Sequence, residues 1–172
     1  MADRVIENKE TEVPEIPELL EKVLVFVLEE AKEKMDQGSE VTPFTALIVK
    51  DNLFIENHPG ESAEDCYDSA KHTVEGARGA DAYAFCYDGY IETDAGVRDS
   101  LIAEGGIPGE PEGMACGYLY TIEGEKCVFE SQPAYIGSAP NFMSDLKEAD
   151  EYDDEEIEER YLDEDDVSED ES

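Results

Sequence analysis

Residues 82–93 read Ala-Tyr-Ala-Phe-Cys-Tyr-Asp-Gly-Tyr-Ile-Glu-Thr. Aromatic and small apolar residues fill both sets of alternating positions, the pattern of a strand covered on its two faces. Ala82 to Thr93 is therefore the expected central strand of a sheet. Two turns compete to end it: Asp88-Gly89, a favoured two-residue hairpin loop, and Asp94-Ala95-Gly96, a three-residue loop ending in glycine. The second is preferred. It sets Glu92 opposite Arg98, makes Arg98 to Ile102 the return strand, and leaves Gly89 as a bulge.

Beyond this pair, residues 104–113 (Glu-Gly-Gly-Ile-Pro-Gly-Glu-Pro-Glu-Gly) carry the composition of a loop. A hairpin follows, with Ala115 to Ile122 returning from Glu125 around Glu123-Gly124. In that register Tyr120 faces Cys127 and Tyr118 faces Phe129, with Leu119 beside Val128 on the other face. Pro133 and Pro140 end regular pairing, and Ala134 to Phe142 is expected to wrap an edge.

Upstream, Ser62 caps a helix that has Asp65 at its third position and Gly79 beyond its end. The inner stripe of that helix, Ala63, Cys66, Ala70, Val74 and Ala77, is built of small residues that permit close packing. Phe44 to Val49 and Leu53 to Glu56 form two strands around an Asp51-Asn52 turn. A first helix spans residues 17–37. Pro17, Glu18 and Glu21 mark its start, Lys32, Lys34 and Gly38 its end, and Leu19, Leu20, Val23, Leu24, Val27 and Ala31 its buried stripe. The order αββαββββ gives an α+β fold, a mostly antiparallel sheet covered by two helices.

Length and charge complete the organisation. The 172 residues suit one domain, and 47 Asp+Glu against 12 Lys+Arg give a formal net charge of −35. Residues 145–172 hold 17 acids against Lys147 and Arg160, a net of −15, and few large apolar groups, so they read as a disordered acidic tail. The chain divides into a flexible arm (1–16), a single α+β domain (17–144) and that tail. Direct nucleic-acid binding and an anionic membrane surface are disfavoured, because both require a basic face. The N-terminal residues lack the apolar core of a signal peptide, and the apolar run Val23 to Leu28 is far short of the about 20 residues of a spanning helix. Cys66, Cys86, Cys116 and Cys127 include no C-x-x-C pair and sit mainly among core-type neighbours, which fits a reduced cytosolic setting.

Candidate chemistry is sparse. His58-Pro59-Gly60-Glu61 has the residues of a metal or acid–base pair, with Cys66 within reach, but it reads equally as a turn and lacks zinc-ligand spacing. His72 falls on the outward face of the second helix. No nucleophile elbow is present, and Glu104, Glu110 and Glu112 oppose phosphate binding by the glycine-rich loop. Asp88 on the expected bulge and Asp99 on its neighbouring strand make the best carboxylate pair, with Arg98 and Tyr87 nearby. Asp163 to Asp166 would attract calcium only weakly, without the EF-hand frame. No cofactor and no metal is expected, and monomer and homodimer stay open.

These features point to a non-catalytic protein-interaction module for a basic protein partner. The rival is a small ligand-binding or hydrolase-like enzyme using Asp88, Asp99 and His58 around residues 104–113. Adaptation to high internal salt and plain solubility also account for the acidity.

Overall fold

In the computed structural model, residues 3–5, 16–94 and 96–147 are described. In chain order the elements are β1 (Asp3–Val5), α1 (Glu18–Asp36), β2 (Phe44–Val49), β3 (Asn52–Asn57), α2 (Ala63–Glu75), β4 (Ala82–Thr93), β5 (Gly96–Gly106), β6 (Glu112–Glu123), β7 (Lys126–Phe129) and β8 (Ala134–Pro140). The sheet runs β3-β2-β4-β5-β6-β7, with β8 also on β6 and β1 on β4. Every pairing is antiparallel except the short parallel contact of β1 with Tyr90, Ile91 and Glu92. The α+β class and mostly antiparallel sheet agree with the sequence reading, while β1 and β8 add strands to the expected order. Strand β1 falls within the segment read as an arm. Residues 6–15 and the tail beyond residue 147 lie outside the described residues.

β4 is interior to the sheet, and its alternation explains the placement of the helices. Ala82, Ala84 and Cys86 face α1, which brings Leu20, Val23, Leu24, Val27 and Leu28 against these small groups. Tyr83, Phe85 and Tyr87 face the other way, towards α2, which supplies the small Ala70 and Val74. Large side chains on one layer thus meet small ones on the next, on opposite faces of one sheet, as close packing demands. Cys66 and Ala77 are buried as expected of the α2 stripe, whereas Ala63 is exposed.

The helix ends follow local chemistry. The α1 termini carry Glu18 and Glu21 at the start and Lys34 near the end, matching the helix dipole. Gly38 takes φ +84°, and the Ser39 N–H reaches back to the Lys34 carbonyl at 2.9 Å, which satisfies the last turn. Ser62 Oγ accepts from the Asp65 N–H at 3.1 Å. Gly76 ends α2, three residues before the glycine expected.

Several registers shift by a residue or more. The β2–β3 turn is Lys50-Asp51, with φ of 50° and 68°, so Asn52 begins the strand opposite Val49. The Lys50 N–H donates to Asp81 Oδ2 at 3.2 Å and helps hold this uncommon backbone. Thr93 pairs with Gly96, which places Ile91, not Glu92, opposite Arg98. Pairing of β4 with β5 is unbroken past Gly89↔Ser100, so Gly89 is a strand residue and not a bulge. Tyr120, not Tyr118, pairs with Phe129. Both rings nevertheless contact it, at 5.1 and 5.2 Å between centroids.

The expected loop 104–113 shrinks to residues 107–111, because β5 continues to Gly106 and β6 begins at Glu112. Glycine here serves close approach. A Cβ on Gly105 would stand 2.4 Å from the Tyr83 carbonyl oxygen, and one on Gly113 2.3 Å from that of Gly105. The segment 134–142 does line an edge, as β8 on β6 followed by Asn141 and Phe142, and Tyr83 Oη accepts from the Phe142 N–H at 3.0 Å.

Candidate functional site

Asp88 lies on the α1 face of β4, open to solvent on one side. Tyr120, itself buried, donates its hydroxyl to Asp88 Oδ1 at 2.7 Å. Asp99 stands directly between Tyr90 and Tyr120 across its two strand partners. The two carboxylates therefore share a face, one strand apart and offset by two residues. Partial burial raises the Asp88 carboxyl above its ordinary range; the hydrogen bond from Tyr120 opposes this, and the charge of Asp99 adds to it. Burial and then Asp88 push the Tyr120 phenol far upward, so it stays a proton donor. Arg98 and Tyr87, expected nearby, point to the opposite face because strand side chains alternate. Arg98 lies 3.8 Å from Glu130, and Tyr87 gives its hydroxyl to Glu104.

Glu104 was expected in a solvent loop but is a buried strand residue, 5% exposed, among the aromatic groups under α2. Its only sequence signal was Gly105-Gly106, which reads as loop until the packing against α1 is known.

His58 lies on the α2 face and is 1% exposed. Its Nε2 is 2.8 Å from Thr45 Oγ1, its Nδ1 is 3.0 Å from Ser69 Oγ and 3.6 Å from Glu56 Oε2. Glu56 in turn accepts from Thr73 Oγ1 at 2.8 Å. Burial lowers the His58 pKa, and the Glu56 charge only partly offsets this. A carboxylate beside Nδ1 favours the proton on that nitrogen, which leaves Nε2 to accept from the Thr45 hydroxyl. Ser69 and Glu56 thus sit on the same ring nitrogen. A serine activated by histidine needs its carboxylate on the other one, which excludes Ser69. Thr45 does stand opposite Glu56 across the ring, but Thr45 and His58 are each 1% exposed and closed to a substrate, so the cluster latches α2 to the β2–β3 hairpin. The acid serving His58 is Glu56, two residues before it on the same strand face, rather than Glu61. Period-two spacing was the available signal.

The sheet therefore separates the three candidates: Asp88 and Asp99 lie on one side, His58 on the other. Residues 107–111 join β5 to β6, and Asn141 Nδ2 donates to the carbonyls of Ile107 and Glu110, each at 2.8 Å. His72 is exposed on α2, as expected. All four cysteines are free, and burial raises the thiol pKa of Cys86 and brings Cys116 to about 11. Among the described residues, no group of three or more His, Cys, Asp or Glu side chains is disposed to hold a metal ion, and no helix is long and apolar enough to cross a membrane. No family model, curated protein or solved structure matches the chain.

Proposed function

We propose that this chain is a non-catalytic interaction module that captures a basic protein through its negative potential. The excess of 47 acidic over 12 basic residues carries the reading. On the folded part, exposed acids crowd the outer surfaces of both helices: Glu18, Glu21, Glu29 and Glu33 on α1, and Glu64, Asp65, Asp68 and Glu75 on α2. Such a surface speeds encounter with cationic partners and opposes self-association at low salt. The separation of His58 from Asp88 and Asp99 supports binding over carboxylate catalysis, because the three cannot close on one small molecule.

The test measures capture of a labelled lysine-rich peptide by the full chain and by a chain ending at residue 144, at low and at near-physiological salt. Capture that weakens with salt and with loss of the tail is expected. Capture indifferent to both would overturn electrostatic recruitment.

A further inference from the structure

The two ends of the sheet differ in how they expose their backbone. At one end β7 has four residues and begins with Lys126, while β8 contains Gly137 and Pro140 and shifts register opposite Ala115 and Cys116. Short length, charge, proline and irregular register all blunt an edge against further pairing. At the other end β3, Asn-Leu-Phe-Ile-Glu-Asn, has six residues, no Pro, Lys or Arg, and an unbroken register with β2.

The two-residue turn makes Val49 and Asn52 a hydrogen-bonded pair, and alternation sets Phe54 and Glu56 likewise inward. The His58 N–H continues this inward set by donating to the Pro43 carbonyl at 2.7 Å. The backbone groups of Leu53, Ile55 and Asn57 consequently face away from β2. Leu53 and Ile55 also turn their side chains to the α1 face, where they are 40% and 51% exposed. There Leu53 borders a groove of about 160 Å³ shared with Leu19, Val23 and Phe26 of α1 and Ile48 of β2. An outward backbone ladder beside an apolar groove is what an added strand uses: the ladder for affinity, the groove for one of its side chains.

We propose that the edge of β3 is the docking site for an extended, basic segment of a partner protein, which joins the sheet as an additional strand. The proposal rests on the reading of the chain as an acidic binding module and places that binding on the fold. Charge selects this occupant. A second copy would bring −35 against −35. A strand alternating apolar and basic residues would instead seat its apolar groups over the groove and turn its basic groups to the α2 face, where Glu56 lies. On the groove face the acids are Asp51 of the hairpin and Glu30 and Glu33, which follow Phe26 on the same side of α1, and the bases are Lys22, Lys34 and Lys50.

The experiment uses the full chain and a labelled peptide of about 10 residues alternating Val and Lys, read by fluorescence anisotropy at near-physiological salt. A second peptide of the same sequence is N-methylated at alternate backbone nitrogens, which removes donors but no charge. Binding of the first peptide, weakened about tenfold or more by N-methylation, is expected. A similar loss is expected in the Ile55→Pro chain, since proline at an outward-facing edge position removes a donor without breaking the β2 ladder. The peptide comparison is made on the unaltered chain and so stands even where that variant fails to fold. Equal binding of both peptides overturns strand addition and leaves charge capture intact. Binding of neither overturns both readings. Salt-promoted dimers abolished by Ile55→Pro in sedimentation would make a second copy the occupant and overturn the proposal.

Discussion

Three oxygens, from Thr45, Ser69 and Glu56, surround a histidine that is almost wholly buried. Because burial depresses the folded-state pKa of His58 below its ordinary 6.5, the unfolded chain takes up a proton at a higher pH than the native one does. Its contribution to stability is thus fully present above pH 6.5 and declines as pH falls from there towards the folded value. Melting temperatures recorded between pH 7.5 and 5.5 should fall more steeply for the native chain than for His58→Gln. Parallel curves would show that the imidazole ionises freely in the fold. Asp88 has the opposite sign. Its carboxyl is raised, so its ionisation opposes folding increasingly as pH rises from the ordinary 3.8 and fully once pH exceeds the folded value, and acidification relieves this. Asp88→Asn keeps an acceptor for Tyr120 and removes the repulsion with Asp99. One side of the residue is hydrated, so the gain is small: melting should rise by about 2 °C at neutral pH. A fall would mean that the charged form is the one the site favours.

At the scale of elements, the glycines of β5 and the cap of α2 predict losses of different size. Gly105→Ala drives a methyl into the Tyr83 carbonyl and towards Leu20, both parts of the packed interior, and should cost about 3 kcal/mol. Ser62→Ala removes one capping bond at an exposed helix end and should cost about 1 kcal/mol. Denaturant titration of both variants checks the order, and equal losses would contradict the close approach of β5 to β4 and α1. The same elements mark where sequence was informative. Phe44–Val49 and Ala82–Thr93 are legible to the residue because their apolar runs are bounded by turn residues, without the Glu- and Lys-rich flanks that make the similar run Val23 to Leu28 a helix. The Lys50-Asp51 turn is not, since Asp51 and Asn52 both carry the turn signal and Lys50, at φ 50°, carries none. Gly105 and Gly106 read as loop in the sequence because glycine marks both loops and tight contacts, and only the neighbouring layer distinguishes them. At the candidate site, Tyr87 and Arg98 are sequence neighbours of the two carboxylates, yet strand alternation turns them to the opposite face. Glu56, Ser69 and Thr45 came to His58 from three separate elements, a convergence visible only after folding.

For the molecule as a whole, a net charge of −35 on 172 residues makes self-repulsion a standing load on the compact state. Raising NaCl from 0.01 to 1 M shortens the screening length from about 30 to about 3 Å. The melting temperature should rise by about 5 °C or more over that range, with NaCl and KCl giving the same curve. Circular dichroism at fixed pH records this directly. A flat response would show that the acids are too dispersed to matter, and a difference between the two salts would indicate a specific ion.

The sheet divides the interior into two sets of buried side chains that share strands but belong to separate clusters, one under each helix. Residues without common partners contribute additively. Val27 and Val74 can therefore change with little mutual epistasis, and a lineage is free to rework the filling beneath α1 while the aromatic layer beneath α2 stays constrained. The fold behaves, in heredity, as two half-proteins built on one spine.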